Sequence, residues 1–500
     1  MIARRRLSLS LALASWLPLA ALAQVAPVSA SETGAVPPKT WVDKDTGHRV
    51  WRVSDETNSG GFYFNVNAYT PDHKQMVYNA PSGIMVLDLA TMQSKMLVPS
   101  PPAPAEGAAP RVGVARAIVV GNKTNSVFFT RTDPATHVNA VYKANTNTGD
   151  VRKLIDLPPR LGVSSINADE TLGTGTYNES DVPGGDPNAP NAFVAAAGLG
   201  QPAPVQSVQT PSTNLALGGA NVQSDGKGAM MERRLAAKTP VVMFTIRLEP
   251  GPHGEKAGTI KVLFHSTDWI GHMLFSPTDP QLIMYCHEGM WQKVDRIWLI
   301  HTDGTGNMLV HKRTMEMEIA GHEFWGLDGK TIWYDWQYPK GEDFFVASYD
   351  LETHRRVAYH LQRNEWSIHF NLTQDLDMFC GDGGDSGQVA EAPDGQWIEL
   401  FRPHMIGGTE GALDSPDFFH PGVFKSEHLV NMAHQNYRGE PNPRFSPDKK
   451  YVFFSSNMFG RSYVFAVEVA KATDLTAAVS TPELAIRYNP IMPTPTTTQK

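Results

Sequence analysis

One short pattern recurs along the chain at nearly fixed spacing, and few folds can accommodate it. A polar turn built on Asp or Asn runs into an apolar, strand-like segment. The turn residues are Asp72, Asn122, Asp169, Asp279, Asp328, Asp375 and Asp448, spaced 50, 47, 110, 49, 47 and 73 residues apart. Four of these six intervals match the roughly 40–50 residues of one four-stranded propeller blade. Between the turns, stretches such as IMVLDLATMQSKML and FFVASYDLETHRRVAY read as strand–turn–strand hairpins. Helical periodicity is scarce. The chain is therefore expected to be all-β, a seven-bladed β-propeller. A pair of β-sandwiches would leave one period repeated seven times unexplained.

The two long intervals need insertions. Residues 181–230 are rich in Gly, Pro, Asn, Gln and Ala and read as a flexible excursion. A smaller excursion surrounds HMIGGTEGALDSPDFFHPG within residues 384–435. At the N-terminus, Arg4, Arg5 and Arg6 precede an apolar run that ends in Ala21-Leu22-Ala23, the layout of a secretory signal peptide over residues 1–23. Residues 24–40 read as a linker, 41–470 as the propeller and 471–500 as a tail. Export, to a periplasm or beyond, is the expectation, with no membrane span.

The formal charge is −8, and removal of residues 1–23 would make it more negative. So acidic a chain is a poor nucleic-acid binder, and an anionic substrate would need a local cationic site. Cys286 and Cys380 sit in apolar runs. They could form a disulfide in an oxidising compartment or stay as two buried thiols.

Histidines mark one end of the repeat. His272, His322 and His369 lie 7, 6 and 6 residues before the turn residues Asp279, Asp328 and Asp375, and Asn442 lies six before Asp448. In a propeller, residues at one offset from the shared turn ring the central axis. The ring expected here is Asn67, Arg116, Ser164, His272, His322, His369 and Asn442. Clustered histidines serve metal ligation, proton abstraction or pairing with carboxylates. No HExxH, G-x-S-x-G, paired CxxC or P-loop motif is present, so a serine nucleophile has little support. The run Gly381–Gly387 could be an anion or calcium loop or a plain Gly/Asp turn.

The segments WIGHMLFSPTDPQLIMYCHEG, VDRIWLIHTDGTG, AGHEFWGLDGKTIWY, FCGDGGD and FSPDKKYVFFSSN together resemble the oligogalacturonate lyase family. The most specific part spans Trp269 to Asp385. The resemblance implies a seven-bladed polysaccharide lyase that cleaves short pectin-derived uronate oligosaccharides by β-elimination. It implies His322 of HEFW as the base, Arg296 of VDRIW as a catalytic arginine that grips or polarises the uronate carboxylate, and His369 as a ligand of a divalent metal, typically manganese. It further implies that His322→Ala and Arg296→Ala abolish turnover with the fold nearly intact.

The family pattern Gln-x-x-His-x-His is not kept before the last turn. Tyr437, Glu440 and Asn442 stand in its place, with His434 and Gln435 nearby. The expected ligand set is His369, Glu440, Asn442 and His434, for Mn²⁺ or Ca²⁺, since oxygen ligands suit harder ions. EPNPRFSPD could instead be a capping turn with no ligand role. Candidate substrate-binding residues are His272, His287, Arg313 and Trp325. Of these, His287 could instead hold backbone, and Trp325 could instead fill core. Two alternatives stand beside the pectin-fragment lyase. One is a lyase or other enzyme on a different uronate oligosaccharide. The other is a non-catalytic propeller like the Tol-associated periplasmic scaffold.

Overall fold

A computed structural model describes residues 36–102, 111–189, 192–193, 224–384, 390, 392, 396–407 and 418–489. The signal-peptide segment, most of the linker and much of the 181–230 excursion lie outside these residues.

Among the described residues the strands form seven antiparallel blades around an axis, two of them joined in one sheet. Blade 1 is Gln75–Ala80, Gly83–Asp88 and Gln93–Pro99, with its inner edge made by bridges from Gly60 to Asn79 and from Tyr69 to Met76. Blade 2 is Arg116–Val120, Ser126–Thr132, Asn139–Asn145 and Val151–Asp156. Blade 3 is Ser165–Ile166, Leu172–Asn178, Val241–Arg247 and Ile260–Ser266. Blade 4 is Ile270–Phe275, Leu282–His287, Ile297–His301 and Met308–Leu309. Blade 5 is Ile319–Trp325, Thr331–Gln337, Phe344–Asp350 and Arg356–Leu361. Blade 6 is Phe370–Leu372, Phe379–Gly381, Trp397–Met405 and Phe419–Asn431. The last strand of blade 6 also pairs in parallel with Arg356–Leu361, which joins blades 5 and 6 into one sheet. Blade 7 begins with Arg444–Phe445, Tyr451–Ser456 and Tyr463–Lys471. It is completed from the other end of the chain by His48–Arg52 and Thr40–Val42. This pairing closes the ring.

The repeated turn has a local cause. The aspartate side chain folds back on the backbone two or three residues later, an Asx turn that mimics a backbone turn. Asp328 accepts hydrogen bonds from Lys330 N (2.9 Å), Thr331 N (3.0 Å) and Thr331 Oγ1 (2.7 Å). Thr70 donates to Asp72, Thr171 to Asp169 and Ser446 to Asp448, each at 2.7 Å. The strand after the turn is then buried on both faces because a blade packs against two neighbours. Thr331–Gln337, for instance, is buried at six of its seven positions. Aromatic side chains fill the inter-blade layers, with Tyr78, Phe128, Phe129, Phe244, Tyr285, Tyr334 and Phe379 among the most deeply buried.

Two sequence expectations change, and the open alternative for the cysteines resolves. The excursion inside blade 3 ends in a helix, Ser224–Ala237. The segment read as a tail contains a second helix, Thr481–Tyr488, whose Leu484 and Ala485 join the blade 7 core. Trp41 Nε1 donates to Thr481 Oγ1 (2.9 Å), tying that helix to the first strand. Cys286 and Cys380 are both free and buried, with no disulfide between them.

Candidate active site

The inner strands of blades 4 and 5, and the segment leading into blade 7, carry a left-handed residue: His272 (φ 49°), His322 (φ 42°) and Asn442 (φ 53°). For residues with a Cβ this conformation is uncommon and costs energy, so it persists where surrounding structure enforces it. In blades 4 and 5 it falls inside a register shift, between Gly271 and Leu274 and between Gly321 and Phe324. Such a bulge re-aims a side chain that would otherwise follow the strand's alternation.

His322, His369 and His272 meet around Tyr63. The rings of His322 and His369 are 4.7 Å apart. Tyr63 lies 5.1 Å from His369 and 6.2 Å from His272. His322 Nδ1 is 3.2 Å from Asp335 Oδ2 on the adjacent strand. His369 Nδ1 is 2.8 Å from Asp382 Oδ2, and its Nε2 is 3.1 Å from the Tyr63 hydroxyl and 3.8 Å from Glu440 Oε2. Asp382 also accepts from the backbone N–H groups of Ile368 (3.1 Å) and His369 (2.9 Å). The Gly381–Gly387 run thus supplies a carboxylate that orients His369.

A second buried group surrounds Arg296, which is 2% exposed. Its guanidinium donates to Glu288 Oε2 (3.0 Å) and Cys286 Sγ (3.3 Å), and Glu323 Oε1 stands 3.6 Å away. Trp291 covers it at 4.5 Å. His272 bridges both carboxylates, with Nε2 3.0 Å from Glu288 and Nδ1 3.7 Å from Glu323.

Burial sets the protonation of these groups. It holds the His322 imidazole well below its usual range, reinforced by His369 and Arg296. Burial also pushes Asp335 up to about 7, against the pull of Arg296 and His369. For His369, burial works downward but Asp382 and Glu440 prevail and raise it. Glu288 is opposed by burial yet held well below the carboxylate range by Arg296 and His272. The Tyr63 phenol is pushed well above its usual range by burial, Glu440 and Glu323, so it is a neutral donor.

The expected residues separate into two sets. His272, Arg296, His322, His369, Glu440 and Asn442 come together at the axis. His287, Arg313 and Trp325 do not. His287 stacks on Trp298 (5.0 Å) and faces Asp268 (3.4 Å). Trp325 is buried in the core between blades 4 and 5, donating to Leu274 O (3.2 Å). Arg313 is engaged with Asp295 (2.9 Å) and Gln292 O. The Nε2 of His434 is buried with no hydrogen-bond partner among the described residues. Of the wider ring, Asn67 bonds to Tyr69 O, Val120 O and Asn122, all within blades 1 and 2. The Arg296 guanidinium already faces two carboxylates, while its Nε is buried with no hydrogen-bond partner among the described residues.

A cation fits beside His369 and Glu440. Their Nε2 and Oε2 atoms are 3.8 Å apart, a separation two ligands at about 2.1 Å from one ion can span. Asp382 behind His369 is the usual orienting carboxylate of a ligating histidine. Glu288 and Glu323 face the Arg296 guanidinium, whereas Asp382 and Glu440 both face His369, where a divalent ion would offset their charge. Asn442 Oδ1 accepts from Phe64 N (3.1 Å) and its Nδ2 donates to Glu440 O (2.9 Å), which leaves one Oδ1 lone pair for a ligand. His272, Cys286 and Glu288 also present donor atoms within 4.8 Å of one another. The Arg296 guanidinium already supplies the cation there.

Tyr63, Trp291 and Asp335 were not among the residues expected from sequence. Tyr63 lies on the loop before blade 1, outside the repeat. Asp335 had a detectable signal: it follows His322 by 13 residues, as Asp382 follows His369.

A family model described as oligogalacturonate lyase matches residues 252–473. The oligogalacturonide lyase of Pectobacterium atrosepticum is 26% identical over 227 residues, which is 42% of this chain and 53% of the relative. The oligogalacturonate lyase of Dickeya dadantii is 26% identical over 226 residues, 43% of this chain and 53% of the relative. The matched stretch thus spans about half the length of these relatives. Among solved structures, an oligogalacturonate lyase in complex with manganese superimposes with a TM-score of 0.59 at 19% identity, over 86% of this chain and 96% of that one. The oligogalacturonate lyase of Vibrio parahaemolyticus gives 0.59 at 18% identity, over 87% and 97%. The propeller shares its fold with these enzymes, and residues 252–473, which carry most of the site, match the oligogalacturonate lyase family.

Proposed function

We propose that this protein is a lyase that cleaves short oligogalacturonides, or a closely related uronate oligosaccharide, by β-elimination. The observation that carries this reading is His322, a buried neutral imidazole whose Nδ1 faces Asp335. Once Asp335 ionises, above about pH 7, Nδ1–H is donated to its carboxylate, Nε2 keeps its lone pair and His322 can act as a base.

Elimination then balances without an added reactant. His322 Nε2 takes the proton at C5, α to the uronate carboxylate, and those electrons form the C4–C5 double bond. The C4–O4 bond breaks, and O4 leaves with a proton from the site or solvent. Negative charge develops on the carboxylate as C5 loses its proton, so cationic stabilisation beside it lowers the barrier. A divalent cation held by His369 and Glu440, manganese by analogy with the solved relative, would supply that charge. Arg296 acts at one remove, keeping Glu288 and Glu323 compensated next to the base. The expected compartment is outside the cytoplasm, as the N-terminal segment suggests.

Hydrolysis and elimination differ in what they do with water. Digestion of trigalacturonate in ¹⁸O-water is expected to give an unsaturated product and no label at the new reducing end beyond slow exchange. Stoichiometric label at the cleavage point would instead indicate a hydrolase on the same scaffold.

A further inference from the structure

Trp291 stands over both groups assigned to the chemistry. Its ring is 4.7 Å from His322 and 4.5 Å from the Arg296 guanidinium. The fit is close enough to require a glycine in the neighbouring strand: a Cβ at Gly321 would lie 2.5 Å from the Trp291 ring. Trp291 is nonetheless only part-buried, unlike Trp325, which is enclosed in core.

The turn that bears Trp291 is braced from two sides. Arg313 donates to Gln292 O and to Asp295 Oδ1 (2.9 Å). From the other side comes helix Ser224–Ala237, the end of the excursion within blade 3. Glu232 pairs with Lys293 Nζ (2.5 Å), Leu235 lies against Gly289, and Arg234 covers Trp269 at 4.7 Å. Just past the helix, Lys238 pairs with Asp268 (2.6 Å). Topology explains why these parts meet. In an antiparallel blade, the connection from the second strand to the third lies at the end where the first strand begins. The blade 3 excursion, the Trp291 turn and the left-handed histidines therefore share one end of the propeller.

We propose that Trp291 is the wall on which the site's sugar ring stacks, and that the excursion helix together with Arg313 holds it in place. The inference rests on the uronate reading and adds a residue that binds substrate without taking part in proton transfer. A rigid aromatic face suits the C–H face of a pyranose while polar groups elsewhere hold its carboxylate. It also gives the excursion a purpose, as a brace for specificity set back from the chemistry.

Galacturonate monomer has no 4-linked leaving group and cannot be eliminated, so it reports binding alone. Calorimetric titration of galacturonate into wild type and Trp291→Ala is expected to show affinity at least about tenfold weaker in the variant, or about 1.4 kcal/mol. Trp291→Phe should recover most of that loss. Glu232→Arg, remote from the site, should weaken binding several-fold and raise KM for trigalacturonate with kcat nearly unchanged. Equal galacturonate affinity in wild type and Trp291→Ala overturns the stacking role while leaving the lyase intact. An unchanged KM in Glu232→Arg overturns the brace. A wild type that neither binds galacturonate nor cleaves trigalacturonate overturns both this inference and the lyase reading.

Discussion

At Arg296 a guanidinium that the family resemblance would place on the substrate is instead enclosed by Glu288, Glu323 and Cys286. Removing it leaves two buried carboxylates without their cation, and breaking a buried pair in this way costs about 3–5 kcal/mol. Arg296→Ala is therefore expected to lose that much stability in urea unfolding, as well as activity. This replaces the expectation of an intact fold, and a loss under about 1 kcal/mol would show that the pairs are solvated. Asp335 gives a pH test. Its pKa in the folded protein is about 7, raised by burial from an ordinary 3.8. The folded state therefore holds a proton that the unfolded chain has released between those values. Stability from this group is full below the ordinary carboxylate range and is lost as pH rises through about 7. Asp335→Asn should remove about 3 kcal/mol of that dependence between pH 5 and pH 8, seen as a smaller fall in unfolding temperature over that range. Identical slopes in both proteins would contradict a buried, proton-holding Asp335.

The blade was the most legible element. Asx turns at Asp72, Asp169, Asp328 and Asp448 follow from side-chain hydrogen bonds local to the turn, so their period appears in the sequence. The offset of His272, His322 and His369 from those turns was legible for the same reason. What lies between blades was not. Tyr63 reaches His369 because Arg444, buried in blade 7, donates to the carbonyls of Phe62, Tyr63 and Val66 (2.9 Å for the last). That contact joins residues nearly four hundred positions apart, and no local pattern announces it. Asn65 Nδ2 adds a bond to Glu323 O (3.0 Å), drawing the same loop toward blade 5. His287, Arg313 and Trp325 make their contacts outside the axial cluster for a related reason. Nearness in sequence to the ring does not fix which face of a strand a side chain takes. His287 follows Cys286 by one residue and so points away from Arg296.

Across the whole molecule, the ends of the chain meet in blade 7, where His48–Arg52 completes the sheet begun by Arg444–Phe445. This closure brings Glu440 and Asn442, late in the chain, against Tyr63 and Phe64 near its beginning. The site is therefore a property of the closed ring, with residues from blades 4 to 7 and the loop before blade 1. The most direct test is ultraviolet absorbance of digalacturonate and trigalacturonate incubated with the purified protein, with and without chelator and added Mn²⁺. A rise from the 4,5-unsaturated uronate is expected, abolished by chelator, restored by Mn²⁺ and absent in His322→Ala. No rise with either oligomer under any of these conditions would contradict oligogalacturonide elimination, and a rise that chelator leaves untouched would contradict the cation at His369 and Glu440.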